Sequence, residues 1–314
     1  MKIAILNDSF FNETHLKELR ELGEVAVFDG TSNTKEAIER TGDADIVLGD
    51  GFIADFNKEY FDSVPNLKLL ALNTTAFAMV DFEAARNRGI KVANCPGFSK
   101  RSVAEMAIAL IFATVRRIPY GDKKYRSGSM DQDPSTPEGR ELIGYDLYGK
   151  TLGIIGVGRI GSEIARIGKG IGMNVIGWNR SGRDDINLVE LDELVSTADV
   201  IAVSLLYSEE TKGILSKELL LKLKPNAVLV NIAKRDCIDM DTLYELLSER
   251  KIKGAGFDWA QCSENDPLLL LDNVVFTPHV ASYTAESFFE NLPNMIVENV
   301  RSFIAKNPQN IVNP

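Results

Sequence analysis

The segment Thr151-Leu152-Gly153-Ile154-Ile155-Gly156-Val157-Gly158-Arg159-Ile160-Gly161 constrains this chain more than any other. Its short apolar run reads as a buried parallel strand, and Gly156, Gly158 and Gly161 then satisfy G-x-G-x-x-G. Ile164, Ala165 and Ile167 give the next segment an apolar stripe at helical spacing, and Met173 to Trp178 supplies a second apolar strand. This is the pattern of one βαβ unit. In such a unit the first glycine permits the tight turn, the second lets a pyrophosphate approach the backbone, and the third lets the helix lie close to its strand. The free N–H groups and positive dipole end at the helix start hold the pyrophosphate. A glycine triplet alone is weak, since such turns also arise for steric reasons. The flanking strands and helix favour dinucleotide binding, with Gly156, Gly158, Arg159, Ile160 and Gly161 as the contact residues.

A chain of 314 residues predicts two domains, each able to bury a core. Short strands are expected at Lys2–Leu6, Glu24–Phe28, Asp45–Leu48, Lys68–Leu72 and Ile90–Val92, with helices at His15–Leu22, Thr34–Arg40, Lys58–Ser63 and Asp81–Arg88. Alternation of this kind argues for a parallel, doubly wound sheet. Ser102 to Val115 reads as a helix apolar nearly all round, buried inside a domain or between subunits. Residues 127–149 are polar and rich in Gly, Pro and Ser, and read as a long loop. Further strands are expected at 152–155, 173–178, 199–203, 227–230, 253–257 and 274–276, with helices at 160–169, 190–195, 216–222 and 239–250. Helical spacing resumes over 284–306, with a break at Pro293, and this last helix is expected to return to the first domain. The predicted fold is α/β: two doubly wound, parallel-sheet, Rossmann-like domains. A dinucleotide domain (99–286) is inserted into a smaller, flavodoxin-like substrate domain (1–98 and 287–314), with a cleft and hinge near 97–101 and 283–290.

Hydrophobic residues make up 45% of the chain and charged residues 25%, as in ordinary globular proteins. A net charge of −10 argues against a nucleic-acid backbone or an anionic membrane as partner. Cys95, Cys237 and Cys262 are widely spaced, without a metal-ligand pattern, which reads as reduced thiols in a cytoplasm. The opening MKIAILNDSF has too short an apolar run for a signal peptide.

With these residues in place the sequence resembles the D-isomer-specific 2-hydroxyacid dehydrogenase family, nearest its glycerate dehydrogenase/hydroxypyruvate reductase branch. The resemblance covers nearly the whole chain. It rests on Asn94-Cys95-Pro96-Gly97, Ser102-Val103-Ala104-Glu105 and Gly149 to Gly156. It continues through Leu191-Asp192-Glu193-Leu194, Val230-Asn231-Ile232-Ala233, Gly256-Phe257-Asp258 and Thr277-Pro278-His279-Val280. Membership implies reduction of a 2-oxo acid from a nicotinamide cofactor, using a His, an Arg and a Glu. It implies a homodimer as well, with which the apolar Ser102–Val115 helix is consistent. Val103, Ala233 and Asp258 would join the glycine turn at the dinucleotide.

The histidine maps to His279, while His15, in a charged N-terminal helix, reads as a solvated surface residue. By resemblance His279 gives a proton to the carbonyl oxygen, a role that suits an imidazole. The family arginine falls on Lys234, with Arg235 in place of the glycine after it. A lysine attracts a carboxylate as a point charge but lacks the planar fork. Arg235 is the alternative anchor. The family glutamate falls at Ser263, with Glu264 next to it; an indel would place Glu264 behind His279, and otherwise it is a loop acid. Thr74, Thr75 and Ala76 occupy the place of the family's carboxylate-binding turn, through the backbone N–H groups of Thr75 and Ala76. Phe77, Leu205-Leu206-Tyr207 and Trp259 also depart from the pattern, and core repacking is the simpler account of the last two changes.

NAD-binding units carry an acid about 20 residues past the glycines for the ribose 2′-hydroxyl. Here the second strand ends Trp178-Asn179-Arg180-Ser181-Gly182-Arg183, with Asp184 and Asp185 beyond. Asn179, Arg180 and Ser181 favour NADP(H), and NAD(H) is the alternative if the loop folds an aspartate back. The leading function is therefore an NAD(P)-dependent oxidoreductase on a glyoxylate- or hydroxypyruvate-sized, anionic carbonyl substrate. Two alternatives stand beside it: a dinucleotide-binding homologue with little turnover, and a dehydrogenase for another carbonyl class.

Overall fold

The computed structural model describes residues 1–50, 53–129, 131, 133–180, 185–259 and 263–314. Residues 1–99 hold β1 (Lys2–Ile5), α1 (Glu13–Leu22), β2 (Glu24–Val27), α2 (Thr34–Thr41), β3 (Ile46–Gly49), α3 (Lys58–Ser63), β4 (Leu69–Leu72), α4 (Phe82–Asn87) and β5 (Lys91–Ala93). Next come three helices, α5 (Lys100–Val115), α6 (Ile118–Arg126) and α7 (Pro137–Arg140). The glycine unit follows as β6 (Thr151–Ile155), α8 (Arg159–Gly170), β7 (Asn174–Trp178) and β8 (Asn187–Leu188). Then come α9 (Leu191–Thr197), β9 (Val200–Val203), α10 (Lys217–Leu220), β10 (Val228–Asn231), α11 (Met240–Ser248), β11 (Gly254–Asp258) and β12 (Val274–Thr277). A π turn at Ser287–Asn291 leads into α12 (Leu292–Ile304).

The chain divides into two compact units, Met1–Ser99 with Tyr283–Pro314, and Lys100–Ser282. The first holds a five-stranded sheet in the order β2-β1-β3-β4-β5, every pair parallel. Its helices α1 to α4 start by one device. Asn12, Asn33, Asn57 and Asp81 each accept from backbone N–H groups of the helix they precede, which satisfies donors that have no intrahelical partner. His15 completes the first of these caps: its Nδ1 accepts from the Asn12 N–H at 3.3 Å, and the residue is only 5% exposed. The expected solvated role is therefore wrong, because His15 shares the inward face of α1 with Leu16 and Leu19. Cys95 is buried in this unit, and burial pushes its thiol up to about 12. Cys237 is buried in the second unit, and Cys262 lies outside the described residues.

The second unit holds seven parallel strands in the order β12-β11-β10-β9-β6-β7-β8. The order reverses between β6 and β9, which opens a crevice at the carboxyl ends of those strands. The apolar helix α5 lies on β10, β11 and β12 and against α8, which bury one side of it, while Arg101, Glu105, Ala109 and Phe112 stay exposed.

Two expectations needed revision. The stretch 127–149, read as a loop, contains the short α7; before it residues 118–126, for which no element was expected, form a helix with no buried residue. Pro293 does not break the last helix. It sits in the first turn of α12, and the π turn just before it absorbs the hydrogen bond that proline cannot make. Among the described residues no helix is long and apolar enough to cross a membrane.

Candidate active site

The end of β6 places the glycine turn at the crevice. Gly156 has φ +96°, and a Cβ there would lie 2.9 Å from the Leu205 nitrogen, so only glycine fits. A Cβ on Gly161 would meet the Gly156 carbonyl oxygen at 2.3 Å. Around Gly158, in contrast, a Cβ would meet nothing within 4 Å. That space lies at the start of α8, which no side chain caps, leaving the N–H groups of Arg159, Ile160 and Gly161 for an anion. The residues fit a dinucleotide pyrophosphate. Val103 is half-buried on α5.

A cavity of about 490 Å³ opens at the carboxyl ends of β9 to β12. Leu205, Leu206 and Tyr207 line it from the β9 end, Ile232 to Asp236 from the β10 end, Asp258 and Trp259 from the β11 end, and His279 from beyond β12. Ser204 ties this wall to the glycine turn by donating to the Gly156 carbonyl at 2.8 Å. Buried Asn231 shapes the β10 turn: its amide oxygen accepts from the Ala233 N–H at 2.7 Å, and its Nδ2 donates to the Lys234 carbonyl at 3.2 Å. Lys234 is thereby set with its Nζ 4.8 Å from the centre of the Tyr207 ring, a cation–π contact. Tyr207 thus lines the cavity and faces a cation, more than the core repacking expected of it.

Arg235 lines the same cavity, but its charge is already paired. Its guanidinium pairs with Asp266, 2% exposed, and lies 5.4 Å from the centre of the Trp259 ring. Trp259 stacks on Phe257 at 4.0 Å and belongs to the core, yet its indole N–H has no partner among the described residues. Asp266 escaped the sequence reading. Its signal was Asp before Pro267: its side chain accepts from the Leu268 N–H at the start of a 3-10 turn, while its other oxygen holds Arg235. Glu264 is exposed, and among the described residues it makes no hydrogen bond or ion pair with His279. The acid that this loop turns inward is Asp266, which is buried where Glu264 is exposed.

His279 is exposed, with φ +56°, in the left-handed region. Asp258 holds that turn: one oxygen accepts from Thr277 Oγ1 at 2.5 Å and from the Val280 N–H at 2.9 Å, the other from the Ala281 N–H at 3.0 Å. Such a clamp stabilises a backbone conformation that is costly for a non-glycine residue.

After β7, Arg180 pairs with Glu210, and both side chains are mostly exposed. Asn179 precedes it, and Ser181 lies outside the described residues, as do Gly182, Arg183 and Asp184. In the other unit Thr74 is buried at the β4 end, its Oγ1 accepts from the Ala76 N–H at 3.1 Å, and Thr75 Oγ1 donates to the Cys95 carbonyl at 2.8 Å. One of the two N–H groups expected to grip a carboxylate, that of Ala76, is therefore already engaged.

A doubly wound sheet with this turn at its reversal defines a dinucleotide-binding protein. The model of the D-isomer specific 2-hydroxyacid dehydrogenase NAD binding domain matches residues 108–281. The chain is 32% identical to a hydroxypyruvate reductase of Blautia hydrogenotrophica over the full length of both proteins. It is 34% identical to a glyoxylate reductase of Korarchaeum cryptofilum, over 89% of this chain and 86% of that one. Among solved structures, an acyclic imino acid reductase in complex with NADPH and D-Arg superposes with TM-score 0.85 at 33% identity, covering 99% of this chain and 100% of that one. The chain belongs to the D-isomer-specific 2-hydroxyacid dehydrogenase family, NAD(P)-dependent oxidoreductases of 2-oxo and 2-hydroxy acids.

Proposed function

We propose that this protein reduces a small 2-oxo acid of glyoxylate or hydroxypyruvate size, with NADP(H) as the favoured cofactor. The observation that carries the reading is the cavity beside the glycine turn, whose mostly apolar walls include both Lys234 and His279. The dinucleotide is held by the turn Gly156–Gly161, with Val103 and Ala233 alongside it, and when bound its nicotinamide supplies the hydride that adds to the carbonyl carbon. Lys234 attracts the substrate carboxylate and polarises the carbonyl, effects that strengthen where water is excluded. His279 then donates its proton to the carbonyl oxygen. Asp258 keeps that imidazole on its turn as a positioning residue.

NADP(H) is supported by Arg180 at the end of β7 and by the absence of an acid at the described residues there, Asn179 and Arg180. The Arg180–Glu210 pair is a surface pair of small worth, so a 2′-phosphate can displace Glu210. The NADPH in the similar imino acid reductase points the same way.

That relative also favours a second reading, in which the substrate is the imine of a 2-oxo acid. Such a substrate keeps the carboxylate and the hydride-accepting carbon. NADPH consumption with glyoxylate, hydroxypyruvate and pyruvate, each with and without methylamine, separates the two. Turnover on the acids alone supports the oxo acid, turnover only with amine supports the imine, and none at all removes both.

A further inference from the structure

The parallel strands of residues 100–282 have a second edge, at their amino ends, facing away from the glycine turn. A cavity of about 250 Å³ lies there, lined by Arg117, Arg140, Arg250 and Lys253 with Glu141. Arg117 is 7% exposed, and its Nε has no hydrogen-bond partner among the described residues. Its other contacts are a stacking of the guanidinium on the Tyr120 ring at 4.2 Å and an ion pair with Asp272 at 3.4 Å. Asp272 already accepts from Arg250 at 2.5 Å, so one carboxylate serves two guanidiniums. Lys253 donates to the Ile143 carbonyl at 2.6 Å, and burial, with Arg117 and Arg250 nearby, lowers its pKa. Four cations thus face two carboxylates, Asp272 and Glu141, and two positive charges lack a counter-charge.

The backbone adds an independent sign. Arg117 (φ 50°) and Arg250 (φ 57°) are left-handed just past the ends of α5 and α11, where glycine normally stands. An arginine kept at such a place is there for its side chain, because the backbone disfavours it.

We propose that this cavity is a binding site for a phosphate dianion, either inorganic phosphate or the phosphoryl group of a small phosphomonoester. A dianion matches the two uncompensated charges, which chloride or a monocarboxylate leaves half unmet. Guanidinium forks also suit phosphate oxygens, and Arg117 offers a buried, unpaired N–H to one of them.

Calorimetric titration of the whole chain with inorganic phosphate, and separately with glycerol 3-phosphate, tests this at ionic strength fixed with sodium chloride. One saturable site is expected, weakened about ten- to a hundredfold by Arg140→Ser and by Arg250→Gln, the range of one charged hydrogen bond. Both variants alter exposed side chains, and Arg180→Ala, at the nucleotide end, is expected to leave the site intact. Tighter binding of the ester assigns the site to a phosphomonoester, and tighter binding of the ion to free phosphate. Heats no larger than the chloride blank overturn the proposal. So does binding that survives both cluster variants or disappears in Arg180→Ala.

Discussion

Lys234 and Arg235 stand side by side after β10, yet their charges face different partners: the Tyr207 ring for one, buried Asp266 for the other. An anchor must be free to take a carboxylate, and Arg235 is already committed. Lys234→Ala is therefore expected to lower kcat/KM by about 2–5 kcal/mol, the cost of leaving a desolvated charge unpaired, while Lys234→Arg keeps or raises it. Arg235→Ala is expected to act on stability instead, by about 1–3 kcal/mol through the stranded Asp266 carboxylate. Steady-state kinetics and urea melts of the three variants check the division, and a silent Lys234→Ala with an inactive but stable Arg235→Ala reverses the assignment. His279→Gln should cost roughly 10²–10⁴ in kcat with cofactor affinity retained; near-normal turnover would mean the proton comes from elsewhere. Glu210 competes with a 2′-phosphate for Arg180. Fluorescence titration of Glu210→Gln should thus show NADPH binding tightened by about 0.2–1 kcal/mol, the worth of an exposed pair, with NADH unmoved. An equal gain for both cofactors would argue against a 2′-phosphate at Arg180.

At the scale of elements, the glycine turn separates folding from binding. Gly161→Ala puts a Cβ 2.3 Å from the Gly156 carbonyl oxygen, so α8 must move off β6; overpacking of this kind costs about 1–3 kcal/mol. Gly158→Ala meets open space at an ordinary φ of −88°. Its weaker helix cap is offset by reduced freedom of the unfolded chain, about 0.4–1 kcal/mol. Stability should hold while dinucleotide binding fails, because the methyl fills the space of the pyrophosphate. Melts and cofactor titrations of the two variants are the check, and unimpaired binding by Gly158→Ala would remove the pyrophosphate from that place. The strands were legible because buried parallel strands are short apolar runs: 152–155 is observed as Thr151–Ile155 and 199–203 as Val200–Val203. α6 was not, since it has no buried residue and hence no apolar stripe. β8 is two residues at a sheet edge, too short for any periodicity. His279, Lys234 and the glycines were readable from local motifs. Asp266 and Tyr207 were not, because what defines them is a partner 31 and 27 residues away in sequence.

At the scale of the whole molecule, each unit has its own core on both faces of its sheet, and among the described residues no core cluster mixes members of the two. A ligand stabilises only what binds it in the folded state, by RT ln(1 + [L]/Kd), about 2.7 kcal/mol at a hundredfold excess over Kd. The glycine turn, Arg180 and Lys234 all lie in Lys100–Ser282, so that gain should fall on this unit alone. The sequence provides a selective reporter, because both tryptophans, Trp178 and Trp259, belong to it. Urea unfolding with saturating NADP⁺ should move the tryptophan fluorescence transition upward by that amount. Far-UV circular dichroism, which sees both sheets, should then resolve a ligand-insensitive phase from Met1–Ser99 with Tyr283–Pro314, next to a phase that follows the fluorescence. A single dichroism transition that moves together with the fluorescence at every NADP⁺ concentration would mean that the two cores unfold as one.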